Sequence, residues 1–208
     1  HGLMRVITAW KNRERELERM AYFDELTGHL NRARLQEALD ETLVNCRNTA
    51  TSAAYLLINI DRLGMMNNDY GFDIADCVIM EIGKRVEDCT RVGDIIGRAG
   101  SNQFGLVLPG ATDVELRKAA DQILTAVRSR EIATEAGPLA VSLTLGGALM
   151  PKDAANAREV MGRAEEALSK AKLQGRDRFV MHRPSANRTA VRRKSLATGD
   201  AVMRAMKD

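Results

Sequence analysis

The stretch GRAGSNQFGLVLPG, residues 97–110, decides how the fold of this chain is interpreted. It contains two short apolar segments, the second at residues 104–108, on either side of the polar turn Gly100-Ser101-Asn102-Gln103. Two strand-forming segments joined by a tight polar turn predict a β-hairpin. Hairpin tips of this kind often carry acids that hold a metal ion, whereas this tip carries two amides. The predicted hairpin therefore lacks the negative charge that would hold a metal ion at its tip.

The residues around the hairpin predict a mixed sheet with helices packed on its faces. YLLINID, residues 55–61, is a nearly continuous apolar run, which is long enough for a buried strand and too short for a helix. Asn59 and Asp61 point to the same side at the carboxyl end of this strand, where open α/β sheets place ligands. The other predicted elements are helices at 62–68, 73–89, 113–130 and 154–174, and strands at 139–149 and 178–181.

Both ends of the chain carry helical patterns outside this sheet. Thr27 and Gly28 break a first helix, and Asn31 or a neighbour can cap the next one. Residues 183–208 are basic and become amphipathic, which predicts a connector helix to a further domain, with a solvated tail as the alternative. Apolar residues spaced by three and four predict a short coiled coil within residues 1–22, with a lone amphipathic helix as the alternative: Leu3, Val6, Trp10, Leu17 and Met20.

The composition indicates a globular protein and argues against several classes of partner. The 208 residues are 45% hydrophobic, which is enough to bury a core. A formal net charge of +3 gives no general attraction to nucleic acid or anionic lipid, and no apolar run approaches the roughly 20 residues that span a bilayer. Cys46, Cys77 and Cys89 are scattered and odd in number, which predicts reduced thiols in the cytoplasm and no zinc site.

Four motifs, in this order, resemble the GGDEF domain of diguanylate cyclases, the bacterial enzymes that condense two GTP molecules into cyclic di-GMP. DELTGHLNR at 24–32 resembles DxLTGLxNR, with His29 in place of a leucine. NIDRLGMMNNDYGFDIAD at 59–76 resembles DIDxFKxINDxYGHxxGD. RAGSNQFGLVLP at 98–109 resembles RxGGDEFxxLLP, which places GSNQF on the signature itself. RAEEALSKAKLQGRDR at 163–178 resembles ADxALYxAKxxGRNR.

The resemblance implies an α+β fold (two-layer α/β), similar to the palm of nucleotidyl cyclases, with a mixed, mostly antiparallel sheet of about five strands. It also implies that the magnesium chemistry of the family is lost. Active members bind magnesium through the first aspartate of DIDxF and the third signature residue, which are Asn59 and Asn102 here. Gln103 replaces the usual glutamate, and Ser101 replaces a glycine that lets the backbone approach phosphate.

These replacements predict that the site holds no metal and no other cofactor. Magnesium is bound through carboxylates and substrate phosphates, so neutral amides keep the shape of the site and lose its charge. Since two-metal phosphoryl transfer depends on that charge, we expect no catalysis and therefore no enzyme. The turn itself is expected to survive because asparagine tolerates positive φ.

The resemblance also marks residues that bind the nucleotide in the family. Asn67 and Asp76 match the residues that contact the guanine edge, and an amide with a carboxylate suits its acceptor and donor groups. Lys172 and Arg176 match the contacts to the triphosphate. Taken singly, Asn67 could be a cap and the other three could be solvated charges. In register with the motifs, they predict residual recognition of guanine nucleotides.

A second ligand site is implied by Arg91-Val92-Gly93-Asp94, five residues ahead of Gly100. The spacing resembles the RxxD inhibitory site at which the family binds cyclic di-GMP. The alternative is an ion pair in the loop before the hairpin. The family often supplies a second arginine from the next helix, where this chain has Gln122, with Arg117 as a possible substitute.

The sequence therefore predicts three parts: a signalling helix at 1–22, a degenerate GGDEF domain at 23–182 and a connector at 183–208. The connector resembles the segment that leads into EAL phosphodiesterase domains. We expect an inactive, dimerising regulatory module that responds to cyclic di-GMP or GTP in a cytoplasmic segment of a protein whose parent chain could be membrane-anchored. Its partners would be an upstream sensor domain and a downstream EAL domain. The alternatives are an active cyclase, and a structural spacer or docking adaptor.

Overall fold

Helices and strands alternate along the chain in a computed structural model that describes residues 19–152 and 154–183. The elements are α1 (Arg32–Thr49), β1 (Ala53–Ile60), α2 (Leu63–Tyr70), α3 (Phe72–Glu87), β2 (Ile95–Gly100), β3 (Gln103–Pro109), α4 (Asp113–Arg128), β4 (Ile132–Thr134), β5 (Gly137–Leu139), β6 (Leu143–Met150), α5 (Ala157–Leu173) and β7 (Phe179–Met181).

Five of the strands form one sheet in the order β2-β3-β1-β6-β7, and β4 and β5 form a separate ribbon. The sheet is antiparallel except for the β6-β7 pair, which is parallel. The α+β fold with a mixed sheet flanked by helices is therefore confirmed.

Strand β1 is the centre of the molecule. All eight of its residues are buried, as its apolar run predicts, and it lies between β3 and β6. Its side chains alternate between two cores on opposite faces of the sheet. One core contains residues of α3 and α4, and the other contains residues of α1 and α5. Helices therefore cover both faces of the sheet, in agreement with the predicted mixed sheet flanked by helices.

The predicted hairpin and the predicted cap are both confirmed. β2 and β3 pair through residues 95–107 around a turn at Ser101 and Asn102. The sequence suggested that the turn uses the tolerance of asparagine for positive φ. Asn102 does not have positive φ, so the backbone conformation of the turn does not require an asparagine at this position. The side chain of Asn31 accepts a hydrogen bond from the Arg34 amide (3.0 Å) and donates to the Ala21 carbonyl (2.7 Å). It therefore caps α1 and ties the preceding turn to it.

The predicted strand at 139–149 is wrong at its start. Leu139 belongs to the β4-β5 ribbon and pairs with Ile132, whereas the sheet strand β6 begins at Leu143. Gly137 has φ +103° and its carbonyl accepts a hydrogen bond from the Thr134 hydroxyl (2.6 Å), so the chain folds back on itself here. Apolar residues continue across 139–149, so the sequence pattern gives no sign that the chain passes from the ribbon to the sheet within this segment.

Helix α5 lies unusually close to the sheet at Gly146. A Cβ atom at this position would stand 2.3 Å from the Ala164 carbonyl oxygen and 2.4 Å from the Leu168 nitrogen. Only a glycine permits this approach of the helix backbone to β6. The contact fixes the height of α5 above the sheet, and the last turn of α5 carries Lys172.

Two predicted segments lie almost wholly outside the described residues. These are the signalling helix at 1–22, of which residues 19–22 are described as helical, and the connector at 183–208. Among the described residues, no helix is long and apolar enough to cross a membrane.

Candidate functional site

The polar site lies where the carboxyl end of β1 meets the tip of the β2-β3 hairpin. Asn59 is paired with Gln103 in the register of β1 and β3. The backbone amide of Ile60 donates to the carbonyl of Asn102 (2.9 Å), so the hairpin turn is fixed to the end of the central strand. The predicted meeting of Asn59 with the signature turn is therefore what the structure shows.

Asn59 is the centre of a hydrogen-bond network that joins three elements. Its Oδ1 accepts from Asn102 Nδ2 (3.2 Å) and from Lys172 Nζ (3.0 Å). Its Nδ2 donates to the Ile60 carbonyl (3.0 Å) and lies 3.4 Å from Asp61 Oδ1. Asn59 is buried, and Asn102 and Lys172 are half-buried. The ammonium group of Lys172 is thus hydrogen-bonded to Asn59, the position at which the sequence pattern of the family has a metal ligand.

Asp61 is the acid that remains beside this network, and its carboxylate is already held. It is 3% exposed and accepts hydrogen bonds from the hydroxyls of Thr144 (2.7 Å) and Ser142 (2.8 Å). The Thr144 hydroxyl in turn accepts from the Asp177 amide (3.1 Å), which connects β6 to the turn after α5. Asp61 therefore ties β1, β6 and this turn together.

The donor set around Asn59 does not fit a divalent cation. Both lone pairs of Asn59 Oδ1 are used, one by the neutral amide of Asn102 and the other by the ammonium group of Lys172. Magnesium requires oxygen ligands with enough negative charge to replace its hydration shell. A magnesium ion at Asn59 would have to displace Lys172 and would remain close to a positive charge.

The other two signature side chains lie near the rim of the site. Gln103 Nε2 lies 3.4 Å from Glu165 Oε2 on α5, and Ser101 is exposed. The Ser101 carbonyl accepts a hydrogen bond from Arg98 Nη2 (2.8 Å). The serine is therefore accessible to solvent at the tip of the hairpin.

Arg98 is a candidate site residue that the sequence interpretation missed. Its side chain is 11% exposed, lies 5.2 Å from the centre of the Phe104 ring and is 3.7 Å from Asp24. Burial lowers the pKa of Arg98, and the negative charges of Asp24 and Asp76 act against that shift. The leading arginine of the motif RxGGDEF is the signal that could have identified it.

Arg98 and Asn67 both carry buried polar atoms that lack hydrogen bonds. Asn67 Oδ1 and Arg98 Nε and Nη1 have no hydrogen-bond partner among the described residues. Asp76, the other residue predicted to contact guanine, lies close enough to Arg98 to influence its pKa. Buried polar atoms are rarely left unpaired, and each one without a partner costs about 1–3 kcal/mol. The Asn67 oxygen and the two Arg98 nitrogens are therefore one acceptor and two donors that lack a hydrogen bond among the described residues.

Arg176, the second predicted phosphate contact, follows α5 in an exposed turn. It has φ +60° directly after Gly175, and its carbonyl accepts from Arg178 Nε (3.0 Å). Lys172 and Arg176 are thus on the same end of α5, with Lys172 directed to Asn59 and Arg176 exposed to solvent.

The predicted second site lies at the opposite end of the hairpin from Ser101. Arg91 Nε donates to Asp94 Oδ1 (3.2 Å), and Arg91 Nη2 donates to the Pro109 carbonyl (2.9 Å). This is the loop ion pair that the sequence left open as the alternative. The Arg91 side chain is still 52% exposed, while that of Asp94 is 4% exposed. Arg117, the possible second arginine, lies 3.6 Å from Asp113 on its own helix.

Fold and site together define an α+β domain with a polar site at one end of the central strand of its sheet. The sequence matches the family described as "Diguanylate cyclase, GGDEF domain" over residues 21–178. The chain therefore belongs to the GGDEF domain family.

Relatives and solved structures agree with this assignment. The chain is 26% identical over 183 residues to the bifunctional diguanylate cyclase/cyclic di-GMP phosphodiesterase MucR of Pseudomonas aeruginosa, covering 88% of this chain and 27% of MucR. It is 27% identical over 181 residues to the diguanylate cyclase TpbB of the same species, covering 85% of this chain and 42% of TpbB. The chain thus spans less than half the length of these relatives.

The structural comparison gives the same fold. The GGDEF domain of TpbB superposes with a TM-score of 0.76 at 27% identity, covering 81% of this chain and 99% of that domain. The GGDEF domain of DgcB from Caulobacter crescentus, solved in complex with cyclic di-GMP, has a TM-score of 0.74 at 22% identity and covers 78% of this chain and 93% of that domain. The second likeness shows the fold alone.

One prediction from the sequence is wrong. The amides at Asn59, Asn102 and Gln103 led to the expectation that this domain is not an enzyme. The family is described as that of the diguanylate cyclases, and the relatives DgcE and DgcC of Escherichia coli, like TpbB, are named as probable or established cyclases. The expectation gave too much weight to the side-chain charges, because a family assignment rests on the whole order of motifs.

Proposed function

We propose that this domain is a guanine-nucleotide-responsive regulatory module of a cyclic di-GMP signalling protein. The observation that carries the proposal is that Asn67 and Arg98 have buried polar atoms without a hydrogen bond among the described residues, while the charge of Asp76 acts on Arg98. Guanine offers O6 and N7 as acceptors and an N2 amino group as a donor. Arginine donors suit the acceptors, while the Asn67 oxygen and the Asp76 carboxylate suit the donor groups.

The phosphate half of the proposed site has a matching charge. Lys172 and Arg176 lie at one end of α5, and the amides of Asn59 and Asn102 add no negative charge to repel a phosphate. The remaining carboxylate, that of Asp61, is buried and accepts hydrogen bonds from the hydroxyl groups of Ser142 and Thr144. A nucleotide that reaches both halves would connect the hairpin, α3 and α5, and this coupling supports a regulatory role.

Calorimetric titration of the 208-residue chain with GTP and with cyclic di-GMP tests the proposal. We expect heat of binding with GTP, which Asp76→Ala weakens by roughly tenfold through the loss of one charge-assisted contact. Asp121→Ala, an exposed carboxylate on α4, is the matched control and should bind as the unaltered chain does. No heat with either ligand would overturn the proposal.

Binding of cyclic di-GMP at Arg91 and Asp94 is part of the same proposal. The half-exposed guanidinium group of Arg91 is available to phosphate or to a guanine edge, at the cost of its bond to the Pro109 carbonyl. Arg91→Ala should abolish cyclic di-GMP binding and leave GTP binding unchanged. Equal binding of cyclic di-GMP by this variant would exclude the Arg91 site.

Diguanylate cyclase activity is a second candidate function, and the family assignment favours it. Incubation with GTP and magnesium or manganese, followed by chromatography for pppGpG and cyclic di-GMP, measures it directly. Formation of either product, at a rate that Asp76→Ala lowers, would establish the activity in this chain.

The rest of the parent protein is also proposed. The relatives MucR and NbdA are named as cyclic di-GMP phosphodiesterases, one of them bifunctional, which supports an EAL domain downstream of residue 183. We propose that the domain forms a homodimer through residues 1–22 under an upstream sensor, in the cytoplasm, where its free cysteines stay reduced. Light scattering of the chain with and without residues 1–22 tests the dimer, and a monomer in both cases would refute it.

A further inference from the structure

The ammonium group of Lys172 is built into the site rather than suspended in solvent. It is half-buried and donates to Asn59 Oδ1 at 3.0 Å, while Asn102 Nδ2 occupies the other side of the same oxygen at 3.2 Å. The Asn59 amide is itself oriented by its donation to the Ile60 carbonyl. The position of this cation is therefore determined by three side chains from β1, the hairpin turn and α5.

The backbone also contributes to this placement. α5 is held against β6 at Gly146, where a side chain would collide with the helix backbone. Lys172 lies in the last turn of α5, where a positive charge interacts favourably with the negative end of the helix dipole. Lys172 needs no ligand to reach Asn59, so the cation is in place before a nucleotide binds.

The charges around Lys172 leave it able to serve a ligand. Asn59, which accepts its hydrogen bond, and Asn102, which donates to the same Asn59 oxygen, are both uncharged. Asp61 lies beside Asn59, and both of its carboxylate oxygens accept hydrogen bonds from Thr144 or Ser142. An ammonium group has three donors, and the amide oxygen of Asn59 uses one of them. Two donors of the ammonium group therefore remain for an anion.

We infer that Lys172, held by Asn59 and Asn102, is the resident cation of the phosphate site, so that the domain binds nucleoside triphosphate without a divalent metal. The inference rests on the proposed function and deepens it. Two carboxylates with metal ions and two amides with one ammonium group are alternative ways to present positive charge to phosphate. This chain has the second set, and an added divalent cation would compete with Lys172 for Asn59 Oδ1.

The test compares GTP binding in EDTA and in magnesium, by calorimetry on the 208-residue chain. We expect dissociation constants within about threefold of each other in the two buffers, because the cation is part of the protein. Lys172→Gln should weaken GTP binding in EDTA by roughly tenfold or more. Lys170→Gln, an exposed lysine in the same turn, is the matched control and should have no effect. Inorganic triphosphate should respond to Lys172→Gln in the same direction, since the contact is with phosphate.

Each outcome separates this inference from the proposed function. Binding in magnesium that disappears in EDTA would overturn the inference and leave nucleotide recognition standing. Equal effects of Lys172→Gln and Lys170→Gln would also overturn it. Absence of GTP binding in both buffers would overturn the proposed function as well. Asn59→Asp provides a positive test, because a carboxylate at this position should make GTP binding stronger in magnesium than in EDTA.

Discussion

Replacement of Gly146 by alanine should destabilise the domain more than the same replacement at Gly147, the other glycine of β6. The added Cβ would lie 2.3 Å from the Ala164 oxygen, 2.4 Å from the Leu168 nitrogen and 2.8 Å from the Leu168 Cα. All three are backbone atoms of α5, so no side chain can rotate away to make room. At Gly147, by contrast, the nearest atoms belong to the side chains of Phe179 and Leu116, which can adjust.

The magnitude follows from the distance that α5 would have to move. Ordinary contact begins at 3.4 Å, and the difference from 2.3 Å requires a shift of about 1 Å. Overpacking of a core by one methyl group costs about 1–3 kcal/mol, and the rigidity of a helix backbone places Gly146→Ala near 3 kcal/mol. For a domain of this size, that loss lowers the melting temperature by roughly 6–12 °C.

Urea denaturation followed by circular dichroism measures the free energy of unfolding, and Gly162→Ala is the matched control. Gly162 lies within the same helix, and an added Cβ would meet nothing within 4 Å. Since alanine favours a helix over glycine by about 1 kcal/mol, this variant should be as stable as the unaltered chain or slightly more so. A loss below about 1 kcal/mol for Gly146→Ala would refute the close approach of α5 to β6. It would also remove the reason for the position of Lys172.

Four further predictions concern polar groups that hold the fold. Arg85 is buried and bonds Glu81 (2.8 Å) and the carbonyls after α4, so Arg85→Ala should cost about 3 kcal/mol in urea denaturation, and a loss no larger than that of an exposed arginine would contradict this. The hydrogen bond from Arg85 lowers the pKa of Glu81 from 4.5, so this contribution is present above pH 4.5 and is lost as the pH falls through the lowered pKa; Glu81→Gln should reduce the slope of melting temperature against pH in that acid range, and an unchanged slope would exclude the pair. Thr144→Val removes a donor to the buried Asp61 carboxylate and should cost about 2 kcal/mol by the same measurement, with Thr144→Ser close to the unaltered chain. Asn31→Ala should cost about 1 kcal/mol through loss of the α1 cap, and Asn31→Asp, which keeps the acceptor, should lose less.

The parts of the fold that follow from local pattern could be predicted from the sequence. The apolar run at residues 55–61 is buried on both faces, which is why its strand was recognisable without knowledge of its partners. Asn31 and the Gly100–Gln103 turn could be placed for the same reason, since capping and hairpin chemistry are local. The β4-β5 ribbon could not be predicted. The apolar pattern does not distinguish pairing of Leu139 with Ile132 in the ribbon from continuation of the sheet strand.

The sequence predicted which residues form the candidate site, but it did not predict how their side chains contact one another. Family motifs identified Asn59, Asn102 and Lys172, but their common network depends on the register of β1 with β3 and on the height of α5. Arg98 was missed because its importance depends on its burial against the Phe104 ring and beside Asp24, a residue that is distant in sequence. Long-range packing therefore carries the information that motif spacing lacks.

The hairpin and the charge at its tip are governed by different physical requirements. The hairpin is kept by the sheet, since Phe104 is buried in the core and the Asn102 carbonyl binds the end of β1. The charge at the tip, in contrast, depends on the ligand that the site binds. Under the proposed arrangement, two aspartates facing Lys172 would neutralise the cation, whereas two asparagines orient it and leave its charge for phosphate. The amides at Asn59 and Asn102 and the ammonium at Lys172 are thus one electrostatic unit, and changing either amide to a carboxylate should change the metal dependence of binding before it changes the fold.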